Sequence, residues 1–298
     1  MDENIVLSGM RATGRLHLGN YLGALRPWVG LQDDHECIFC IVDYHAITIE
    51  YDTAAMQQRI IDAAGANIAC GLDPERCTIF VQSRVPEHTE LSWILSCVTP
   101  LGEVERMTQF KDKAQQHRKN VNLGLLSYPV LQAADILLYD TDKVPVGDDQ
   151  RQHVEITRDI AIRFNHRFGD TFVVPDAVTP KAGARVMDLQ DPRSKMSKSA
   201  STDTGCVMML DDPKVVMKKF KRAVTDSDTG PDAVRYDRAA KPGVANLLEI
   251  NAAVTGRTPQ AVAQESSGFT EIVSAPARCS ERSVVGDVVL ALITIVLR

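Results

Sequence analysis

The N-terminal segment Ile5-Val-Leu-Ser-Gly-Met-Arg-Ala-Thr-Gly-Arg-Leu-His-Leu-Gly-Asn20 carries the first evidence of the fold. Its apolar start, Ile5–Leu7, enters a glycine-rich turn and then a pattern of helical period, which predicts a strand, a turn and a helix. The backbone N–H groups at the start of such a helix face an anion, and the glycines let the backbone approach a ligand closely. The segment therefore predicts a phosphate-binding turn.

The alternation of strand and helix continues through the first two-thirds of the chain. Apolar, β-branched segments predict strands at Ile5–Leu7, Ile38–Val42 and Thr78–Gln82, while segments of helical period predict helices at Tyr21–Gln32 and Thr53–Cys70. This order predicts an α/β fold with a parallel sheet and helices on both faces. Ligands of such sheets collect at the carboxyl ends of the strands, so we expect the functional residues there.

A mainly helical pattern from Glu87 to about Asp140 predicts an insertion within the α/β fold. Strand character resumes from Thr171 to Leu189. We therefore expect a nucleotide-binding catalytic domain over residues 1–190, with a helical insertion at about 87–140. A mobile loop over 191–204 and a shortened, mainly helical C-terminal domain over 205–298 follow. The predicted helices of the insertion are Glu90–Val98, Gly102–Arg118 and Leu125–Tyr139.

A second phosphate-handling segment is predicted at Lys195-Met-Ser-Lys-Ser199. Two ammonium groups three positions apart, interleaved with hydroxyls and preceded by Pro192, are typical of a mobile loop that folds over phosphates. A solvated surface loop explains the same residues equally well. Near the N-terminus, His17 and Asn20 stand three apart at a helix start, so both side chains can reach one phosphate.

Composition and charge exclude several classes of protein. The 298 residues carry a net charge of −6, which argues against general nucleic-acid binding and restricts any RNA contact to local basic segments at Arg106–Lys119 and Lys214–Arg222. Solvated helix faces explain both segments equally well.

The seven cysteines are odd in number and scattered, no signal peptide is apparent, and no apolar run is long enough for a membrane span, so a cytoplasmic protein is expected. Cys37 and Cys40 lie in a buried-strand pattern and are predicted to be core residues rather than zinc ligands.

Asp135 is unusual because it lies within an otherwise apolar helical segment. Burying a carboxylate there is costly unless a donor meets it. An indole N–H could be that donor, and a neighbouring backbone group is the alternative. Asp43 and His45 directly follow the second predicted strand and are expected to face the same cleft as His17. Asp43 alone could instead be a surface residue at a strand end.

His17-Leu-Gly-Asn20 together with Lys195-Met-Ser-Lys-Ser199 resembles the paired signatures of the class I aminoacyl-tRNA synthetases. The segments Gly102–Lys113 and Ser127–Tyr139 closely resemble the tryptophanyl branch, and the resemblance runs from about Asn4 to about Ser266. It implies a Rossmann-like catalytic domain that activates L-tryptophan with ATP and Mg²⁺, releases pyrophosphate, and transfers tryptophan to tRNA(Trp). It also implies a cytoplasmic homodimer, and no protein metal site is expected.

The resemblance also implies roles for individual residues. In these roles, Asp135 accepts the indole N–H and Val186 lies beside the adenine. The expected catalytic residues are His17, Asn20, Lys113, Lys195 and Lys198. The expected ATP-binding residues are Arg11, Ala12, Thr13, Gly19, Asn20, Gly147, Asp148, Asp149, Val186, Lys195, Met196, Ser197, Lys198 and Ser199. The expected tryptophan-binding residues are Leu7, Gly9, Val42, His45, Tyr128, Gln132, Asp135 and Gln150.

The chain departs from the family pattern at several positions. Arg11 and Tyr44 stand where Gln is usual, Ala12 where Pro is common, and Gln132 where Met is frequent. Residues 268–298 show no clear family match, and residues 284–297 predict a terminal amphipathic helix. Two other functions are therefore considered: a paralogue that forms the adenylate without charging tRNA, and a non-catalytic regulator that binds tryptophan or RNA.

Overall fold

The computed structural model describes residues 4–12, 16–116, 121–147, 150–178, 185–197, 203–228 and 233–266. The chain divides into two compact units. The first contains residues 1–14 and 30–181, and the second contains residues 15–29 and 182–298. The predicted terminal helix at 284–297 lies outside the described residues.

A five-stranded sheet forms the centre of the first unit, with all strands parallel in the order β3-β2-β1-β4-β5. Leu7 pairs with Ile38, and Ile38 pairs with Thr78, which places the first three predicted strands side by side. The predicted parallel sheet is confirmed. The strands are β1 (Ile5–Met10), β2 (Glu36–Ile41), β3 (Cys77–Val81), β4 (Lys143–Pro145) and β5 (Asp176–Val178).

Helices make up most of the remaining described chain. A π-helical turn, Tyr21–Leu25, joins the first two α-helices, and short 3₁₀ segments lie at Gln82–Arg84 and Asp203–Gly205. The α-helices are α1 (Leu18–Asn20), α2 (Arg26–Leu31), α3 (Asp43–Ala46), α4 (Met56–Ala69), α5 (Glu87–Ser96), α6 (Leu101–Arg106), α7 (Thr108–Gln116), α8 (Leu123–Leu137), α9 (Arg151–Phe168), α10 (Pro213–Lys221), α11 (Pro242–Thr255) and α12 (Pro259–Ser266).

Both faces of the sheet are covered, because successive strand side chains point to opposite sides. On one face, Leu7 and Ile38 pack with Ile136 of α8 and Val154 of α9. On the other face, a cluster that includes Ile41 packs on α4. Helices therefore protect the strands from water on either side, as the sequence pattern predicted.

The insertion packs as a layer of helices whose buried side chains include Leu95 and Val130, and Ile160 of α9 belongs to the same apolar cluster. The single helix predicted from Gly102 to Arg118 is wrong, because the backbone is extended at Met107 (φ −60°, ψ 129°) and divides the segment into α6 and α7. This break lets Met107 enter the core at 2 % exposure. The N–H and hydroxyl of Thr108 then bond to Oε1 of Gln152, at 3.1 and 2.6 Å.

Strand character predicted between Thr171 and Leu189 is seen in two places in the described part of this range, which leaves out 179–184. Asp176–Val178 joins the sheet, and Met187 makes an isolated antiparallel bridge with Lys195. The two segments have different partners, β4 and Lys195, and the run of β-branched residues does not show which partner each segment has.

The second unit is mainly helical in its described part, as predicted for the C-terminal region. Helices α11 and α12 share a buried apolar cluster that includes Leu248 and Val262. Gly256 ends α11 in the left-handed region (φ 70°), where glycine carries no Cβ penalty. Asn246 of α11 is buried within this helix at 3 % exposure and contacts the segment near Met187.

The six cysteines in the described residues are all free thiols. Cys37 and Cys40 are buried in β2, which confirms the prediction that they are core residues. Across the described ranges, no group of three or more His, Cys, Asp or Glu residues could hold a metal ion. The described helices also include none with the length and apolar character needed to cross a membrane.

Candidate active site

A buried carboxylate, Asp135 of α8, forms the centre of a polar cluster in the first unit. His45 Nε2 lies 2.7 Å from its Oδ2. Gln82 Nε2 and His88 Nδ1 each lie 2.7 Å from its Oδ1. Asp135 is only 3 % exposed, so these three contacts replace the water it would otherwise bind.

The sheet explains how residues from distant parts of the sequence meet at this carboxylate. Asp43 begins α3 directly after β2, and Gln82 follows β3, so both stand at carboxyl ends of parallel strands. Asp43 Oδ1 accepts from the N–H of Tyr44 at 3.1 Å and of Ser83 at 3.0 Å. Gln82 Oε1 also accepts from the Tyr44 N–H, at 3.1 Å. Asp43 therefore ties the two strand ends together.

The cluster holds Asp135 in its ionised form. Burial by itself would raise the pKa of Asp135, but the charge and hydrogen bond of His45, together with the hydrogen bond of His88, lower it below its usual value. An ionised carboxylate only accepts hydrogen bonds, so the nitrogens of His45 and His88 that face it carry hydrogen. The site is therefore built around an anion with donors aimed at it.

Tyr128 lies about two turns before Asp135 on α8 and joins the cluster to a second polar group. Its ring meets the His45 ring edge-on at 6.2 Å, and its hydroxyl lies 2.8 Å from His153 Nε2. Burial raises the pKa of Tyr128 to about 12, against the opposing effect of Arg11. Lys113 Nζ of α7 stands 4.0 Å above the centre of the Tyr128 ring, which is a cation–π distance.

The other residues predicted to bind tryptophan lie in the same unit. Gly9 of β1 faces Val42 so closely that a Cβ on Gly9 would come within 2.9 Å of Val42 Cγ1, so the position has no room for a side chain. Leu7 is buried in the sheet core. Gln132 is partly buried on α8, three residues before Asp135. Gln150 donates its backbone N–H to the Gly147 carbonyl at 2.9 Å.

In the second unit, the helix start at His17 is fixed by its own side chains and by a neighbouring strand-like segment. Asn20 Oδ1 accepts from the His17 backbone N–H at 3.1 Å. The Leu18 N–H donates to the Val207 carbonyl at 2.8 Å, and His17 makes an antiparallel bridge with Met208. The structure thus brings the Asn20 side chain to the backbone of His17 at the helix start.

Val186 links this helix start to the lysine-containing loop. A Cβ on Gly19 would lie 3.6 Å from Val186 Cβ, and the N–H of Met196 donates to the Val186 carbonyl at 3.1 Å. Met196 is buried, whereas Lys195 is exposed. The two predicted phosphate-handling segments therefore converge on Val186, with the Lys195 side chain directed to solvent.

Several residues that shape these sites were not predicted. Gln82 and His88 supply two of the three donors to Asp135, and Tyr139 supports His88. In the second unit, Asn246 bonds both to the N–H and to the carbonyl of Met187, at 2.9 and 3.0 Å. Gln82 was the one of these with a usable signal, because it ends the third predicted strand.

Five residues of the predicted site lie outside the described residues, and so do two lysine or arginine positions of the first basic segment. The site positions are Thr13, Asp148, Asp149, Lys198 and Ser199. The basic positions are Arg118 and Lys119.

Comparison with known proteins gives a consistent result. A family model described as "tRNA synthetases class I (W and Y)" matches residues 1–272. Tryptophanyl-tRNA synthetase from Mycoplasma pneumoniae is 35% identical, with a TM-score of 0.78, over 99% of this chain and 85% of that one. The Campylobacter jejuni tryptophanyl-tRNA synthetase, solved with ADP and tryptophan, is 38% identical, with a TM-score of 0.73, over 88% of this chain and 78% of that one.

A more distant structure supports the same fold. Tyrosyl-tRNA synthetase from Archaeoglobus fulgidus, solved with L-tyrosine, has a TM-score of 0.70 at 19% identity over 100% of this chain and 88% of that one. The parallel sheet and a family match over 272 residues agree with one another. The chain belongs to the class I tRNA synthetases of the tryptophan and tyrosine group, a family of ATP-using aminoacyl-tRNA ligases.

Proposed function

We propose that this chain is a tryptophan–tRNA ligase. The tryptophan carboxylate attacks the α-phosphate of ATP, a new C–O–P bond forms, and the bond to the leaving pyrophosphate breaks. The 2′-hydroxyl of the terminal adenosine of tRNA(Trp) then attacks the activated carbonyl, AMP leaves, and the hydroxyl proton is released. No general base is needed in the first step because the attacking carboxylate is already ionised.

The hydrogen bonding of Asp135 carries the substrate assignment. A carboxylate has about four acceptor positions. Gln82 and His88 occupy two on Oδ1, and His45 occupies one on Oδ2. Among the described residues, one acceptor position on Oδ2 is therefore left for a ligand. The indole N–H of tryptophan is a donor on a large apolar ring, and it suits this position.

The phosphate-handling residues support activation with ATP. Catalysis of this step depends mainly on positioning and on stabilising the charge that moves onto pyrophosphate. Lys195 presents an exposed ammonium on an anchored backbone, and a Cβ on Gly19 would come within 3.0 Å of the His17 ring, so glycine lets that ring lie close to the helix start. We propose that His17, Asn20, Lys113 and Lys195 contact ATP, and that Mg²⁺ accompanies its β- and γ-phosphates.

Lys113 gives a pH dependence to this proposal. Burial, and to a lesser extent the positive charge of Arg11, lowers the pKa of Lys113 to about 8. Below about pH 8 the amine is charged in both the folded and the unfolded state, so its burial costs stability there, and this cost is relieved as the pH rises from about 8 toward the unfolded pKa. If the charge holds phosphate, kcat/KM for ATP should decline above about pH 8.

Replacing Lys113 by arginine separates this cause from others, because a guanidinium stays charged and also stacks on aromatic rings. We expect the Lys113→Arg profile of kcat/KM for ATP to stay level from pH 7 to 9, while the wild-type value falls. Steady-state pyrophosphate exchange across this range measures both. Identical declines in the two proteins would show that another group is responsible.

A homodimer is also proposed. The first unit leaves several large apolar side chains in contact with water, including Trp93 at 74 % and Leu123 at 82 % exposure. A second copy of the chain could cover them. We further propose that the enzyme acts in the cytoplasm, where charged tRNA is used. We also propose that the catalytic domain, the loop and the helical domain expected from the sequence each have a separate function.

Pyrophosphate exchange with ATP and each of the twenty amino acids tests the function. We expect exchange with tryptophan alone, and acylation of tRNA(Trp) in a separate assay. Exchange with tyrosine but not tryptophan would refute the substrate assignment. Exchange without acylation would identify an adenylate-forming paralogue, and tryptophan binding without exchange would identify a regulator.

A further inference from the structure

Of the two histidines that meet Asp135, His88 contacts a second polar side chain through its other ring nitrogen. Its Nδ1 lies 2.7 Å from Asp135 Oδ1, and its Nε2 lies 2.9 Å from the hydroxyl of Tyr139. His88 is completely buried, with a relative exposure of 0 %. Its two ring nitrogens therefore connect the carboxylate to a tyrosine on the far side of the ring.

The direction of these hydrogen bonds follows from the charge on Asp135. Because the carboxylate is ionised, its oxygen accepts and His88 Nδ1 must donate. In a neutral imidazole, Nε2 is then the acceptor, and the Tyr139 hydroxyl donates to it. The tyrosine thus favours the tautomer that has its hydrogen on the carboxylate side.

Aromatic packing holds His88 in this orientation. Its ring lies 5.6 Å from the ring of Phe80 and 5.5 Å from that of Tyr139, and these two rings are themselves 5.6 Å apart. Three mutually contacting rings leave little freedom for His88 to rotate. Packing fixes the position of the imidazole, while the Tyr139 hydroxyl fixes its hydrogen.

We propose that Tyr139 and His88 form a positioning relay, in which the Tyr139 hydroxyl orients His88 so that Asp135 keeps its free Oδ2 position aimed at a substrate N–H. The relay rests on the proposed tryptophan function. Neither residue touches the substrate, so both are positioning residues rather than catalytic ones. With Oδ1 occupied by two donors, the carboxylate cannot turn to offer its other oxygen, and a ligand without an N–H gains nothing from it.

The relay predicts a loss of discrimination rather than a general loss of activity. The probe is benzothienylalanine, a tryptophan isostere in which sulfur replaces the indole N–H. We expect wild-type kcat/KM in pyrophosphate exchange to favour tryptophan by about 10- to 100-fold, the range of a hydrogen bond to a charged group. Tyr139→Phe keeps the ring and should reduce this ratio by about 3- to 10-fold.

Two further variants separate positioning from structural damage. His88→Asn can keep a donor toward Asp135 but loses the link to Tyr139, so it should reduce the ratio as Tyr139→Phe does. Ile160→Val removes a methyl group of α9 from the buried cluster that α9 shares with α8. It should lower thermal stability and leave the ratio of kcat/KM for tryptophan to that for benzothienylalanine unchanged. If Tyr139→Phe and His88→Asn both keep the wild-type ratio within twofold, the relay is refuted.

Nuclear magnetic resonance of ring-¹⁵N-labelled histidine tests the relay without relying on substrate. We expect the ring hydrogen of His88 to lie on Nδ1 in the wild type, and this preference to weaken in Tyr139→Phe. A wild-type signal for hydrogen on Nε2 would overturn the relay. A normal His88 signal in a protein that shows no tryptophan-dependent exchange would instead refute the proposed function.

Discussion

Asp135→Asn should lower kcat/KM for tryptophan in pyrophosphate exchange by about a hundredfold. The proposed bond from the indole N–H to an ionised carboxylate is the type that contributes about 1.5–3 kcal/mol, or roughly tenfold to a hundredfold in rate. Asparagine has nearly the same shape but no charge and only one oxygen. Activity measured at saturating ATP, with tryptophan varied, gives the size of the loss directly.

The same substitution should destabilise the fold. Three donors face the carboxylate, from His45, Gln82 and His88, and the amide group of asparagine would meet at least one of them with its own N–H. A buried donor left without a partner costs about 1–3 kcal/mol. We therefore expect a lower midpoint of thermal unfolding for Asp135→Asn, and protein that is still folded at 25 °C should be used for kinetics.

Asp140→Asn is the matched control. Asp140 is exposed just beyond the same helix, and its backbone is in the left-handed region (φ 49°), which asparagine tolerates well. The change removes one carboxylate charge without touching the cluster, so activity and thermal stability should stay close to wild type. Equal tryptophan kinetics in Asp135→Asn and Asp140→Asn would contradict the role given to Asp135.

Asp135 also shows how far the sequence could lead. Its position in an apolar helix predicted a buried carboxylate that needs a donor, because an unpaired charge in a core is too costly to keep. The identity of the donors could not be predicted. Gln82 and His88 come from the end of β3 and the start of α5, and only the order of the parallel strands brings them next to α8.

The elements themselves followed closely from periodicity, since a buried parallel strand has few alternatives to an apolar, β-branched sequence. The predicted strand Thr78–Gln82 differs from the observed β3 by one residue at each end. Boundaries set by tertiary contacts were not visible. The break at Met107 depends on a bond from Thr108 to Gln152, a residue 44 positions away. The helical period of the sequence continues across Met107, so the period alone predicts one unbroken helix.

In the second unit, the sequence spacing predicted that His17 and Asn20 lie together at a helix start, but it did not predict the contacts that hold the nearby Met187 backbone in place. His17 and Asn20 are three residues apart, so their contact is local and readable from sequence. The two bonds from Asn246 to the backbone of Met187 span 59 residues and join α11 to the loop region. An asparagine inside an apolar helix has many explanations, and only the folded chain distinguishes among them.

Lys195→Met should lower kcat in pyrophosphate exchange by about 10²- to 10³-fold, the usual effect of removing one group that stabilises charge in a transition state. The side chain is exposed, and its segment is held by backbone bonds, so methionine can take its place without rearranging the chain. Lys195 pairs with Met187 as an antiparallel bridge, and the neighbouring Met196 N–H bonds to Val186. Thermal stability should therefore stay near the wild-type value.

The balance between kcat and KM tests the assigned role of Lys195. A group that acts mainly on the departing pyrophosphate stabilises the transition state more than bound substrates, so KM for tryptophan should change less than twofold while kcat falls. Lys214→Met on α10 is the matched control, because Lys214 is an exposed lysine of the same unit, and its exchange rate should match wild type. A Lys195→Met protein with unchanged kcat would leave the loop without a catalytic function, and the ammonium that assists pyrophosphate departure would have to be sought elsewhere.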